Sequence, residues 1–299
     1  MSYAVCIANP RARRALTGSD ELKSRLGRFG YEVEFRWTDN PRHATELAQN
    51  AVTGRADLVI AAGGDGTINE VACGLALSRV PLAVLPCGTG NVLAREIRLP
   101  RRMHKIIDLI PGLQPLRIAL GKGGGRYFVL MAGVGFDAEI VYNLRAALKR
   151  KFGVVGFWLE ALRHWTSYRF SSFSANVDGE NYRATFGIVG RAACYGGGVR
   201  ITSGADLTGN SFDVCLFQGR SRLDYLRYLF GVLTGTHRHF HDVVYIRGRC
   251  VEMASEVPIR VQLDGEAVGV LPMTFEVIPD ALTLMVPPRA GTIVSRSSR

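Results

Sequence analysis

The sequence predicts an α/β N-terminal domain, a parallel sheet flanked by helices, followed by a C-terminal antiparallel β-sandwich domain. Three observations predict it. Apolar strand-like runs alternate with segments of helical spacing over residues 1–112, the order of a parallel sheet with helices on its faces. After Pro111-Gly112, strand-like runs follow one another with few helices between them, as in a sandwich. The 299 residues, 47% hydrophobic and 21% charged, supply enough apolar material for two ordinary cores. The expected division is residues 1–112, residues 113–290 and a basic tail over 291–299.

In chain order, residues 3–8 are an apolar run ending at Asn9-Pro10, too short for a signal-peptide core and read as a first strand. Ser19 is placed to cap a helix in which Leu22, Leu26 and Phe29 recur at helical spacing. Residues 31–37 alternate as a strand, and Pro41 suits the first turn of a helix reaching about Asn50. Residues 57–62 form the continuous apolar run of a buried parallel strand, 68–77 a helix, and 82–85 another buried strand. In the second domain, strands are expected at 116–120, 127–132, 170–177, 182–189, 212–217, 243–246, 259–263, 274–277 and 282–286. Asp178-Gly179 is a hairpin-turn signal. Helices are expected near 138–148, 154–164 and 221–233.

A net charge of +11 and a pI near 9.7 make a positive field suited to anions: nucleotide phosphates, an anionic bilayer or nucleic acid. The cations are dispersed, with short knots at Arg11-Ala12-Arg13-Arg14, Arg101-Arg102 and Lys149-Arg150-Lys151. No zinc-finger spacing, RNA-binding aromatic signature or basic-zipper heptad accompanies them, so nucleic acid is not an expected partner. The six cysteines make no CxxC pair and several sit in apolar runs, which fits a reducing cytoplasm. No window approaches the roughly 18–20 apolar residues of a membrane span. The expected location is cytoplasmic, with peripheral association to an anionic membrane surface. The segment 152–165 mixes Phe152, Val155, Phe157, Trp158, Leu162 and Trp165 with nearby Lys149, Arg150, Lys151 and Arg163, and is the expected membrane-contacting or lipid-lining helix. Oligomeric state is not legible, and a homodimer is compatible with the sequence.

The strongest chemical signal is Gly63-Gly64-Asp65-Gly66-Thr67, followed by Ile68-Asn69-Glu70. It lies where a buried strand ends and a helix begins, the edge at which open α/β sheets bind ligands. Glycines let backbone N–H groups approach phosphate oxygens and adopt positive φ, and a helix N-terminus adds its own positive end. Asp65 is a candidate to hold Mg²⁺ on the phosphates or to take a proton. A second loop, Leu85-Pro86-Cys87-Gly88-Thr89-Gly90-Asn91, again follows a buried strand, with Thr89 and Asn91 as donors. Two such loops one βα unit apart suit a composite nucleotide site. His237, His239 and His241 would share one face in a strand and suit zinc there, although an exposed polar face or a helix exit is the commoner setting.

Together these loops resemble the catalytic domain of diacylglycerol and sphingosine kinases, lipid kinases related to NAD kinases and 6-phosphofructokinases. The resemblance extends over nearly the whole chain. It takes in Asn9-Pro10, Trp37-Thr38, Gly133-Val134-Gly135-Phe136-Asp137-Ala138, Tyr195-Gly196-Gly197-Gly198, Gly204-Ala205-Asp206-Leu207 and Gln262-Leu263-Asp264-Gly265-Glu266. It implies an ATP-dependent lipid kinase with Mg²⁺, acting on a diacylglycerol-like or sphingosine/ceramide-like lipid from a site between the two domains. The family's ATP contacts would fall on Asn9, Thr38, Gly63, Gly64, Asp65, Gly66, Thr67, Asn69 and Thr89, and its proton acceptor on Glu266. The alternatives are an NAD kinase-like enzyme with a soluble substrate and a non-catalytic lipid-binding relative. Some positions depart from the family pattern. Val92 stands where many bacterial members carry Asp, Ala119 replaces another expected Asp, and Thr208-Gly209-Asn210 replaces a double-Asp metal turn. The sequence does not decide between Asp65 and Glu266 as base, nor whether a structural metal is kept, nor which lipid is used.

Overall fold

The computed structural model describes residues 1–14, 19–143, 168–195 and 198–288. It forms two compact units, one made of the chain up to Leu120 and from Pro279 onward, the other of Gly121–Ile278.

The first unit alternates β1 (Ser2–Ala8), α1 (Ser19–Gly27), β2 (Tyr31–Trp37), α2 (His43–Thr53), β3 (Leu58–Gly63), α3 (Asp65–Gly74), β4 (Leu82–Pro86), α4 (Val92–Glu96) and α5 (Met103–Leu109). Strands run parallel in the order β2-β1-β3-β4, with Leu284 of the last strand pairing beside Leu82 of β4. β1 and β3 are continuously apolar because both faces are covered: Val5, Cys6, Ile7, Val59, Ile60 and Ala61 are fully buried. Leu22 and Leu26 of α1 and Ile106 and Ile107 of α5 pack into the core on one face. The helix of Leu22 and Leu26 stops at Gly27, which leaves Phe29 outside it and exposed. α2 begins at His43, later than Pro41 suggests, because Arg42 precedes it with φ 71.

The second unit contains β5 (Gln114–Gly123, entering from the first unit), β6 (Arg126–Phe128), β7 (Met131–Val134), α6 (Phe136–Asn143), β8 (Phe173–Val177), β9 (Glu180–Ala184), β10 (Phe186–Gly190), β11 (Phe212–Phe217), α7 (Arg222–Thr234), β12 (Val243–Gly248), β13 (Cys250–Ala254), β14 (Arg260–Leu263), β15 (Glu266–Val270) and the start of β16 (Met273–Val286, which passes into the first unit at Pro279). One sheet has the order β12-β11-β10-β7-β14-β15, antiparallel throughout. The facing sheet pairs β13 with both β16 and β8, and β8 with β9, again antiparallel. Between them lies a core of alternate residues from both sheets, among them Phe212, Val214 and Leu216 on β11 and Val251, Met253 and Phe275 opposite. Phe128 stacks on Phe212 and meets Phe275 edge-on.

The α/β domain and the antiparallel sandwich are those the sequence predicts. Asp178-Gly179 is the two-residue turn joining β8 and β9, with φ 48 and 98. Two apolar runs divide between sheets. The run 182–189 breaks at Thr185, whose Oγ donates to the carbonyls of Phe217 and Gly219, and 127–132 breaks between β6 and β7. The expected helix at 154–164 and the membrane segment 152–165 lie outside the described residues, as does the basic tail.

Candidate active site

The register of the first sheet sets the candidate nucleotide residues in one row. Ala8 pairs with Trp37 on one side and Ala62 on the other, and Gly63 pairs with Pro86. The residues that follow these strand ends are therefore neighbours at one carboxyl edge: Asn9, Thr38, Gly64 and Cys87. Backbone bonds extend the ladder past the strands, from Asn9 N–H to the Ala62 carbonyl (3.0 Å), Thr38 N–H to Ala8 (3.0 Å) and Cys87 N–H to Gly63 (2.7 Å). Thr38 is buried, and Asn9 closes its own loop by accepting the Arg11 N–H at 3.0 Å.

α3 opens directly on this row. Its first intrahelical bond runs from Ile68 N–H to the Gly64 carbonyl at 3.1 Å, so the N–H groups of residues 64–67 precede the helical ladder. Gly64 precedes the helix in an extended conformation, φ −83 and ψ −179. Gly63, Gly64 and Gly66 do not take up positive φ as expected. What the loops require is close approach: a Cβ on Gly88 would come within 2.8 Å of Gly64 Cα, and one on Gly90 within 2.5 Å of Asp65 Oδ2. Gly66 and Thr89 are exposed, whereas Asn69 is buried in α3 beside Cys73.

Asp65 ties the two glycine loops together. Its Oδ1 accepts the Val92 N–H at 2.6 Å, at the start of α4. Burial raises its carboxyl above the ordinary range, opposed by the Val92 and Asn91 N–H groups and the Arg95 charge. Val92, one of the positions that depart from the family pattern, thus helps hold Asp65 through its backbone N–H, together with that of Asn91. Asn91 does not offer its amide outward: it accepts the Gly88 N–H at 2.9 Å and donates to the Gly88 carbonyl at 2.8 Å. With Oδ1 held and Oδ2 against Gly90, Asp65 fits a metal only as a minor ligand.

In the second unit, Asp264-Gly265 is the two-residue turn between β14 and β15, with φ 48 and 80, and Glu266 is the first residue after it. Asp264 accepts three backbone N–H groups, from Val129 (2.6 Å), Leu130 (2.9 Å) and Met131 (2.8 Å). Burial and the Glu266 charge push its carboxyl up to about 6 against those three donors. Glu266 Oε2 accepts from Arg126 Nη2 at 2.8 Å, both side chains about one-third exposed (29% and 32%). A chain of buried polar groups backs the turn. Tyr195 donates to Asp137, Gln262 Nε2 donates to Asp137 Oδ2 at 2.7 Å, and Gln262 Oε1 accepts the Gly265 N–H at 2.6 Å. Arg126, Tyr195 and Gln262 drew no role from sequence reasoning, although Tyr195, Asp137 and Gln262 each lie in a quoted motif.

Residues 3–122 match the diacylglycerol kinase catalytic domain, and residues 131–286 match the YegS C-terminal NAD kinase beta sandwich-like domain. The chain belongs to the diacylglycerol kinase catalytic-domain family. The diacylglycerol kinase of Bacillus subtilis (strain 168) is 29% identical over 282 residues, spanning 92% of this chain and 93% of its own. That of Staphylococcus aureus (strain Newman) is 27% identical over 256 residues, 84% and 81% of the two chains. The crystal structure of a diacylglycerol kinase from Bacillus anthracis superposes with a TM-score of 0.77 at 22% identity, covering 96% of this chain and 98% of that one, and so shares its fold.

The loop around Gly204-Ala205-Asp206-Leu207 closes on a protein cation. Arg191, fully buried, donates to the carbonyls of Ser211 (2.6 Å), Leu207 (2.8 Å) and Gly209 (2.8 Å). Burial lowers its guanidinium to about 10, while the Asp206 charge opposes the shift. Asp206 itself accepts the N–H and hydroxyl of Thr208, both at 2.9 Å. These residues do not fit a structural divalent ion: Thr208-Gly209-Asn210 supplies no carboxylate, Asp206 is turned to Thr208, and the neighbouring carbonyls accept from the Arg191 cation. The three histidines do not form a face. His237–His239 is a short 3-10 helix at the exit of α7. His237 is buried against the Tyr245 hydroxyl at 2.6 Å, and His239 and His241 are exposed. Among the described residues, no group of three or more His, Cys, Asp or Glu is placed to hold a metal, and no helix is long and apolar enough to cross a membrane.

Proposed function

We propose that this chain is an ATP-dependent lipid kinase that moves the γ-phosphoryl group onto a hydroxyl of a diacylglycerol-like or sphingosine/ceramide-like lipid. The observation that carries the reading is the row at the carboxyl edge of the first sheet, where Asp65 binds two glycine loops into one surface of backbone donors. Names of the curated relatives favour the same reading. The N–H groups of residues 64–67 and the N-terminus of α3 would take the phosphates, with Asn9, Thr38 and Thr89 beside them. Magnesium, when bound, neutralises charge on the β- and γ-phosphates.

In the reaction, the lipid oxygen forms a bond to the γ-phosphorus, the bond from that phosphorus to the bridging oxygen breaks, and ADP leaves. Glu266 takes the hydroxyl proton and Arg126 fixes the direction of its carboxylate. We assign the base to Glu266 over Asp65 because Asp65 Oδ1 already accepts a backbone N–H, whereas Glu266 is held by one side chain at a partly exposed turn. General-base help of this kind contributes about 10²–10⁴-fold.

The test is incubation with γ-labelled ATP and magnesium, with a total lipid extract in one arm and NAD in the other. Label in a lipid product is expected. Phosphorylated NAD with no labelled lipid would replace the proposal with a soluble-substrate kinase. ATP binding without turnover on any lipid would make the chain a binding protein.

A further inference from the structure

Helix α7 carries two faces of different character. Its inner face is fixed to the sandwich. Tyr225 and Tyr228 are buried, Tyr225 donates to Thr185 Oγ1 at 3.0 Å, and Tyr228 donates to Asp242 while accepting the Gly219 N–H at 2.7 Å. Gly231 lies so close to Phe240 that a Cβ would come within 2.5 Å of the ring. The N-terminus is fixed by a capping box between Ser221 and Asp224. The helix therefore cannot roll to hide its other face. That face presents Leu223, Leu226, Phe230 and Leu233, spaced by three and four residues, at 75%, 50%, 68% and 57% exposure, with Leu229 alongside.

Cations flank both ends of this stripe. Arg220 stands before the helix, Arg222 is its first residue, and exposed Arg238 follows it, the last lying 4.9 Å over the Tyr245 ring and bonded to Ser203. The neighbouring carboxylates are engaged within the protein. Asp224 accepts the Ser221 hydroxyl at 2.7 Å, and Asp242 is bound by Arg227 and Tyr228. An apolar stripe between cationic ends matches the boundary between acyl chains and anionic headgroups. It does not match a second copy of itself. Any two-fold pairing of α7 would bring cationic ends together, and five side chains of one helix fall short of the ~800 Å² per partner of a stable interface.

We propose that α7 docks this protein on an anionic bilayer, Leu223, Leu226, Phe230 and Leu233 entering the headgroup boundary while Arg220 and Arg238 meet lipid phosphates. The docking is independent of the phosphotransfer reading, since it is measured without nucleotide. It assigns membrane contact to an element that the sequence marked only as a helix.

The experiment is flotation of the full chain with vesicles of phosphatidylcholine, alone or mixed with phosphatidylglycerol. The wild-type chain is expected to float with the mixed vesicles and weakly with the neutral ones. Leu226→Ser with Phe230→Ser is expected to weaken binding about a hundredfold. Arg220→Glu with Arg238→Glu is expected to weaken it at least about fivefold per cation, selectively on the anionic vesicles. Since these side chains are exposed, the unfolding temperature should hold. Should the central pair misfold, Leu223→Ser with Leu233→Ser at the helix ends repeats the measurement. Binding by either folded serine variant at wild-type strength would overturn the proposal, as would failure of the wild-type chain to float with anionic vesicles. So would a wild-type dimer in sedimentation that the serine pair turns into a monomer, because a second copy would then cover the stripe.

Discussion

Glu266 and Asp65 carry the same charge in different settings, and the account gives them different roles. Glu266→Gln is expected to lower kcat by about 10²–10⁴-fold with ATP affinity retained, since only the proton acceptor is lost. Asp65→Asn is expected to raise KM for ATP more than it lowers kcat, because it loosens the tie between the glycine loops. Steady-state kinetics on both variants check the pair, and a pure kcat loss for Asp65→Asn would return the base to that residue. Asp264 adds a pH dependence. Its folded-state value near 6 lies above the ordinary 3.8, so the native state binds the proton more tightly. The stability this confers is fully present below about pH 4 and is lost as pH rises through 6, worth about 3 kcal/mol at most. Denaturant unfolding between pH 4 and 7 should show a term of this sign in the wild-type chain that Asp264→Asn lacks. The place of Asn9, Thr38 and the first glycine loop at the strand ends was legible because motif and strand end coincide within a few residues. Arg126 was not, since its partner lies 140 positions away, and nothing local to Arg126 marks that contact.

Helices and strands were legible where burial is one-sided or complete, and less so where packing alone decides. β13 escaped sequence reading although Cys250–Ala254 alternates, since it is only five residues long and follows β12 after a single residue, and β15 because Glu266–Val270 is short and half-exposed. The helix Asp65–Gly74 was placed three residues late, since Asp65 and Gly66 look like loop while the backbone there is already helical. α3 also shows why its last glycine is needed. A Cβ on Gly74 would come within 2.5 Å of the Thr45 carbonyl oxygen and 2.6 Å of Ala48 Cβ on α2. Gly74→Ala is therefore expected to cost about 1–3 kcal/mol of stability by forcing the two helices apart, read as a lower midpoint in thermal unfolding. An unchanged midpoint would mean that α2 moves freely, against its buried Ala44, Ala48 and Ala51.

At the scale of the whole molecule, the chain leaves its first unit at Leu120 and returns to it at Pro279. The returning segment is integral to that unit. Ala281, Leu282 and Leu284 are fully buried, the Ala281 carbonyl accepts the Leu77 N–H at 2.7 Å, and Arg117 bonds to Thr283 at 2.8 Å. Truncation after Ile278 is thus expected to unfold the nucleotide unit, visible as lost ATP binding and a lower unfolding temperature. A return of this kind leaves no mark in local texture, because 282–286 reads as one more apolar strand. The central claim is that backbone amides along the carboxyl edge of the first sheet hold a triphosphate. Amide hydrogen exchange with and without magnesium-ATP tests it most directly. The account predicts slowed exchange in peptides covering 63–69 and 87–92, with Glu266→Gln protected equally. Protection that leaves both loops unchanged while ATP binds would contradict it.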